Sequence, residues 1–142
     1  MRFNIISSGS KGNATIVQYK NTVILIDMGI TLTRLNEGLT EFNLELKDID
    51  AAIFTHNHSD HINGLKFLSP NIQFALEETL PSSLSNVVDL WTPFVVGEIK
   101  ITPVRTNHDA KNPCGYILET DKDKLVYITD TGYVPSETIS IC

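Results

Sequence analysis

Cysteine is nearly absent from the sequence. The two that occur, Cys114 and Cys142, make no CxxC pair, which removes both a disulfide framework and a thiolate zinc site from consideration. Cys114 is expected to pack as a small apolar residue. No basic segment followed by an apolar stretch opens the chain, and no apolar run reaches membrane-spanning length. Nothing therefore argues for secretion or membrane insertion, and a cytoplasmic protein is expected. Repeats, low-complexity tracts and linker-like segments are also missing, so the 142 residues, 42% apolar and 20% charged, read as one domain, 1–142, able to bury a core without staples.

Positive charge is scarce as well. Eleven Lys and Arg stand against seventeen Asp and Glu, a formal charge of −6, which ordinarily counts against a nucleic-acid partner. Two bound divalent cations would bring that to −2 and place the strongest local positive field at the metals. Lys100, Arg105, Lys111, Lys122 and Lys124 gather in the last third of the chain. That clustering reads first as a solvated, salt-bridged face and second as a partner-facing one.

What is present is concentrated. Thr55-His56-Asn57-His58-Ser59-Asp60-His61 holds three of the four histidines and a carboxylate, directly after the apolar run Ala51 to Phe54. This is the pattern of a strand feeding a metal-binding loop. Imidazole is the commonest side-chain metal ligand, and a set of nitrogens with a carboxylate suits zinc, manganese or iron better than calcium or magnesium. His56 and His58 are two apart, so in extended backbone both project to one side and can close on one ion. Asp60 and His61 follow where the chain turns toward an expected helix over 62–68, and could hold a second ion. Ser59 or Asp60 could instead cap that helix.

Elsewhere, residues 3–6 read as a strand and Ser7 to Asn13 as a tight polar loop. A plain turn is the simpler reading of that loop, ahead of a phosphate cradle, because it lacks the Lys-Ser/Thr ending of a P-loop. Segments 14–19 and 22–27 form a hairpin across Lys20-Asn21. Asp27 ends the second strand as either a turn residue or a site carboxylate. A helix is expected from Thr31 or Thr33 to Glu41, and strands over 71–76 and 87–90. Trp91 reads as a core or rim anchor. Four further strands are expected, at 94–96, 100–104, 114–119 and 124–129, with His108 in the loop between the second and third and Asp130 after the fourth.

Together these residues resemble the metallo-β-lactamase-fold hydrolases. His56, His58, Asp60 and His61 match the His-x-His-x-Asp-His motif, and Asp27, His108 and Asp130 follow the family's order. The phrases Ser-Gly-Ser-Lys-Gly-Asn, Leu-Ile-Asp-Met-Gly, His-Asp-Ala with Cys-Gly-Tyr after it, and Thr-Asp-Thr-Gly resemble the YycJ/WalJ branch, whose members are regarded as DNA-processing exonucleases. The resemblance implies an α/β, four-layer αββα sandwich and two divalent metal ions, zinc or manganese. His56, His58 and His108 would hold one ion, Asp60 and His61 the other, and Asp130 would bridge. Asp27 would support the ligands by accepting a hydrogen bond. Two cations about 3.5–4 Å apart can activate a shared water for in-line displacement, with Asp60 orienting it or taking its proton.

The sequence departs from that pattern in one respect: no histidine follows His108. Relatives supply a late histidine to the second metal and a second half to the sandwich, so an incomplete fold, truncated on its C-terminal side, and a weak or empty second site are expected. An exposed apolar sheet face would favour a homodimer. The first functional expectation is a metal-dependent phosphodiesterase or nuclease acting on nucleic acid. The alternatives are a metal-binding protein with a partner-binding or regulatory role and little catalysis, and a hydrolase of small esters, lactones or thioesters.

Overall fold

The computed structural model describes residues 1–9, 12–106 and 113–128. Two sheets stack face to face. The first has six strands in sequence order: β1 (Arg2–Ser7), β2 (Ala14–Tyr19), β3 (Thr22–Ile26), β4 (Ala51–Ile53), β5 (Gln73–Leu76) and β6 (Asn86–Val88). β1, β2 and β3 pair antiparallel, and β3 to β6 run parallel. The second sheet is antiparallel in the order β10 (Lys124–Tyr127), β9 (Cys114–Glu119), β8 (Ile99–Arg105), β7 (Phe94–Val96).

The expected hairpin forms as read, with Thr15 opposite Ile26 and Tyr19 opposite Thr22, and Lys20 takes a positive φ of 53° at the turn. Its strands are β-branched on both faces because both faces are covered. On one side, Ile16, Val23 and Leu25 pack against helix α1 (Leu32–Glu41), whose Leu35 and Leu39 are fully buried. Burying each of those leucines contributes about 2 kcal/mol. On the other side, Val17, Ile24, Ile26 and Ile53 meet Ile99, Ile101, Tyr116 and Leu118 of the second sheet. Thr31 caps α1 by accepting the Arg34 N–H at 3.2 Å. Gly38, in the helix's last turn, is where α1 crosses β1: a Cβ there would lie 2.5 Å from Ile6.

Among the described residues the expected αββα sandwich is thus present as three layers, one of helix and two of sheet. The outer face of the second sheet is less bare than the sequence implied. Of its apolar side chains, Val95 and Val126 are 68% and 38% exposed, whereas Ile117 is 2% exposed, and charged Lys100, Glu119 and Lys124 alternate with them.

The structure corrects the reading at several points. The helix expected over 62–68 is a four-residue α2 (Ser59–Ile62) followed by a 3-10 turn, Leu65–Phe67. The break falls at Gly64, whose N–H donates to the Met28 carbonyl at 2.7 Å and whose Cα packs so close to Met28 that a Cβ would lie 2.7 Å from its side chain. Neither Ser59 nor Asp60 caps α2, because the N-cap is His58. The strand expected over 71–76 begins at Gln73, after a 3-10 turn at Pro70–Ile72 capped by Ser69.

Candidate metal centre

β3 and β4 run parallel with Ile26 opposite Ile53, so both strands end at the same edge of the sheet, the edge where open α/β sheets place their sites. The residues that follow meet there. The Asp27 N–H donates to the Ile53 carbonyl at 2.8 Å, and the backbone then enters the left-handed region, φ 63°, which aspartate tolerates better than most residues. The Asp27 carboxylate lies across the end of β4, fully buried.

Both of its oxygens accept hydrogen bonds. Oδ1 accepts the Thr55 N–H at 2.9 Å, and Oδ2 accepts the Thr55 hydroxyl at 2.8 Å and His61 Nδ1 at 2.7 Å. Burial pushes this carboxyl above the usual carboxylate range, against the opposing pull of the His61 ring and the two Thr55 donors. Thr55 Oγ also lies 2.9 Å from His56 Nδ1. A hydroxyl has one proton, and here it goes to the carboxylate, so Thr55 accepts from a protonated His56 Nδ1. Asp27 thereby fixes the tautomer of two histidines, His61 directly and His56 through Thr55. Both rings carry hydrogen on Nδ1 and keep the basic lone pair on Nε2, the arrangement in which histidine ligates metals.

The three imidazoles cluster. The His56 and His61 ring centroids are 3.9 Å apart, and those of His56 and His58 are 5.0 Å apart, edge to face. His56 and His61 are buried and His58 is half-buried. The Asp60 side chain is 26% exposed, and its Oδ2 lies 3.6 Å from His61 Nε2. In the tautomer set by Asp27 these are two acceptors facing each other, a pairing that a cation between them would stabilise.

The stretch from Ser7 to Asn13 is read as a plain turn, and of its described residues Gly9 and Asn13 brace this cluster. Asn13 is 5% exposed; its N–H donates to the Asp60 carbonyl at 2.7 Å, and its Nδ2 donates to Asp60 Oδ2 at 3.1 Å and to the Gly9 carbonyl at 2.9 Å. Asn13 Oδ1 accepts the Gly9 N–H in return. Met28 donates to the His61 carbonyl at 2.9 Å and Gly29 to the Asn13 carbonyl at 2.9 Å. Gly29 is obligatory for space, since a Cβ there would sit 1.8 Å from the Asp60 carbonyl oxygen. From the second sheet, the Cys114 N–H donates to the Thr55 carbonyl at 2.8 Å and the Tyr116 hydroxyl to the Phe54 carbonyl at 2.6 Å.

Asp27, His56, His58, Asp60 and His61 therefore lie together at the ends of β3 and β4, and His108 and Asp130 lie outside the described residues. Among the described residues no group of three His, Cys, Asp or Glu side chains is arranged to hold a metal ion. Sequence reasoning missed Thr55, Asn13, Gly29 and Tyr116. The one available signal for Asn13 was the run of small, φ-permissive residues before it; Thr55 reads as the first residue of the histidine stretch, with no role given to its hydroxyl.

A family model described as a β-lactamase superfamily domain matches residues 22–141. The sequence is 30% identical over 155 residues to the exodeoxyribonuclease WalJ of Streptococcus pneumoniae, covering 99% of this chain and 58% of that protein. It is 29% identical over 147 residues to the exodeoxyribonuclease YycJ of Bacillus anthracis, covering 94% of this chain and 56% of that one. The chain thus spans a little over half the length of these curated relatives. Among solved structures, the metallo-β-lactamase fold protein YhfI from Bacillus subtilis superposes with a TM-score of 0.74 at 17% identity, over 94% of this chain and 64% of that one.

Proposed function

The chain belongs to the β-lactamase superfamily, and on that premise we propose that it is part of a metal-dependent hydrolase that cleaves phosphodiester bonds in nucleic acid. The observation that carries the reading is the Asp27 network. A buried carboxylate, bonded to His61 at 2.7 Å and through Thr55 to His56 at 2.9 Å, holds both rings in the ligand tautomer. The donor set fits a divalent ion of the zinc or manganese kind: imidazole nitrogens with one carboxylate, and two acceptors, His61 Nε2 and Asp60 Oδ2, 3.6 Å apart.

His56 and His58, with His108, would hold one ion. Asp60 and His61 would hold a second, with Asp130 between the two. Bound divalent ions supply Lewis acidity toward a phosphodiester oxygen and lower the pKa of water. The rest is the work of the chain's own side chains. Asp27 and Thr55 keep both rings oriented, Asn13 fixes Asp60 Oδ2, and the other Asp60 oxygen takes the proton of the attacking water. The DNA substrates named for WalJ and YycJ favour nucleic acid over small esters, lactones or thioesters, and a cytoplasmic setting goes with that reading. A homodimer would rest on Val95 and Val126 of the outer sheet face, and light scattering at micromolar concentration tests it.

Metal analysis of protein purified without chelator, paired with assays on linear DNA and RNA with zinc or manganese added, tests the proposal. Close to two ions per chain and activity abolished by His58→Ala are expected. Undiminished activity in that variant would place the chemistry elsewhere. One ion or none without nuclease activity would favour a metal-binding protein with little catalysis, and turnover of lactones or thioesters alone would favour the small-molecule hydrolase.

A further inference from the structure

We propose that the cavity beside Asp60, of about 590 Å³ and walled by Ser7, Gly29, Arg34, Asn63, Lys66 and Phe67, receives a nucleotide of the substrate strand next to the one being cleaved. The proposal rests on the nucleic-acid reading above and adds where the strand is held. Its position is the first argument. Gly29 is a wall shared with the metal loop, its Cα against the Asp60 carbonyl, and Asn63 ends α2 by donating its N–H to the Ser59 carbonyl at 2.9 Å. A group in the cavity therefore lies one backbone layer from Asp60.

Charge is the second argument. The chain carries −6, yet this lining contains two cations and no carboxylate. Another surface cavity, near the N-terminus, is also lined by cations, but they are engaged: the terminal amine with Asp123 at 2.7 Å, Lys20 with Glu98 at 3.9 Å, and Arg2 with Gln18 at 2.6 Å. Lys66 differs. It is exposed, with no carboxylate within 4 Å among the described residues, and its Nζ lies 5.3 Å from the centroid of the Phe67 ring. Arg34 donates to the Ile6 carbonyl at 2.6 Å and is paired with Glu37 at 3.7 Å, so Lys66 is the cation of this lining without a carboxylate partner among the described residues.

The third argument is the mixture of chemistries. A half-buried aromatic ring beside an exposed ammonium and a braced guanidinium is what a nucleotide needs: a face for the base and cations for the phosphate. The volume falls within the usual range for a small-ligand site, roughly 300–1,000 Å³. A lone surface lysine would give neither a base platform nor a fixed place relative to the reacting bond.

The test uses the full chain without metal, in chelator, so that binding is read apart from catalysis. Fluorescence anisotropy follows a labelled single-stranded oligothymidylate across a salt series. Lys66→Ala should weaken binding several-fold and lower the slope of log K against log salt by about 1. Phe67→Leu should weaken it about tenfold with the slope unchanged. Lys100→Ala, on the outer face of the second sheet, should change neither. Wild-type binding that both cavity variants retain, slope included, overturns the inference and leaves the hydrolase reading standing. So does hydrolysis of bis(4-nitrophenyl) phosphate by metal-loaded protein that binds no oligonucleotide. Absence of both binding and hydrolysis overturns the two together.

Discussion

Replacing Asp27 by asparagine should disable the metal centre while leaving the fold intact, because the change inverts two histidine tautomers at once. The Thr55 N–H, 2.9 Å from Oδ1, can only donate, so the oxygen of the introduced amide must face it. The amide nitrogen then takes the place of Oδ2, between His61 Nδ1 and Thr55 Oγ, which lay 2.7 and 2.8 Å from that oxygen. There it donates to both. His61 must accept on Nδ1 and move its hydrogen to Nε2. Thr55, now accepting from the amide, turns its own proton toward His56 Nδ1 at 2.9 Å, and His56 likewise becomes protonated on Nε2. Each ring would present an N–H where it had presented a lone pair. Loss of a single supporting partner to a metal-bound histidine costs about 10–100-fold in affinity, roughly 1.4–2.7 kcal/mol, and here two rings are affected. Without metal, stability should change by no more than about 1 kcal/mol, because the hydrogen bonds are exchanged and a buried charge is removed. Chelator-competition titration with zinc measures the first quantity and urea unfolding of metal-free protein the second. Thr55→Val is the companion: it removes the hydroxyl's bonds to His56 and to Asp27 Oδ2 but leaves His61 Nδ1 on that oxygen at 2.7 Å, so the ion held by His56 should weaken more than the one held by His61. Wild-type zinc affinity in Asp27→Asn, or a loss in Thr55→Val at the His61 ion as large as at the His56 ion, would refute the tautomer argument.

Gly29→Ala should destabilise by about 3 kcal/mol or more, because its Cβ would fall 1.8 Å from a backbone oxygen rather than a movable side chain; the urea midpoint measures this. Tyr116→Phe leaves the buried Phe54 carbonyl without the hydroxyl at 2.6 Å and should cost about 1–3 kcal/mol, again by urea unfolding. The Cys114 thiol is pushed up to about 12 by burial, so at pH 8 only about one in ten thousand is thiolate. In a Cys142→Ser background, Ellman's reagent should find no reactive thiol until denaturant is added.

Much of the scaffold was legible because its signals are local. The β2–β3 hairpin follows from two β-branched runs around Lys20-Asn21, α1 from Leu35 and Leu39 behind Thr31, and the late strands from their turn residues. The histidine cluster was legible because it is contiguous. What escaped detection depends on contacts between distant segments. Thr55 is one more β-branched residue until the parallel register of β3 and β4 sets it against Asp27, 28 positions earlier. Asn13 reads as a turn residue until it is placed against Asp60, 47 positions later. The helix expected after His61 fails for the same kind of reason: Gly64 must come against Met28, and a longer helix could not make that approach.

The early end of β4 shows how the second sheet enters the site. The strand stops at Ile53, and its last hydrogen bonds within the sheet are to β3 and β5, including Phe54 N–H to the Phe74 carbonyl at 3.1 Å. Leaving the ladder there lets Thr55 and His56 turn into the site, but it would orphan two buried carbonyls, each at a cost of about 1–3 kcal/mol. Both are met from β9, Phe54 by the Tyr116 hydroxyl and Thr55 by the Cys114 N–H. The second sheet thus does more than cover the apolar face of the first. By satisfying those two carbonyls it permits the strand to end two residues before Thr55 joins Asp27 to His56, and the histidine tautomers depend on that ending.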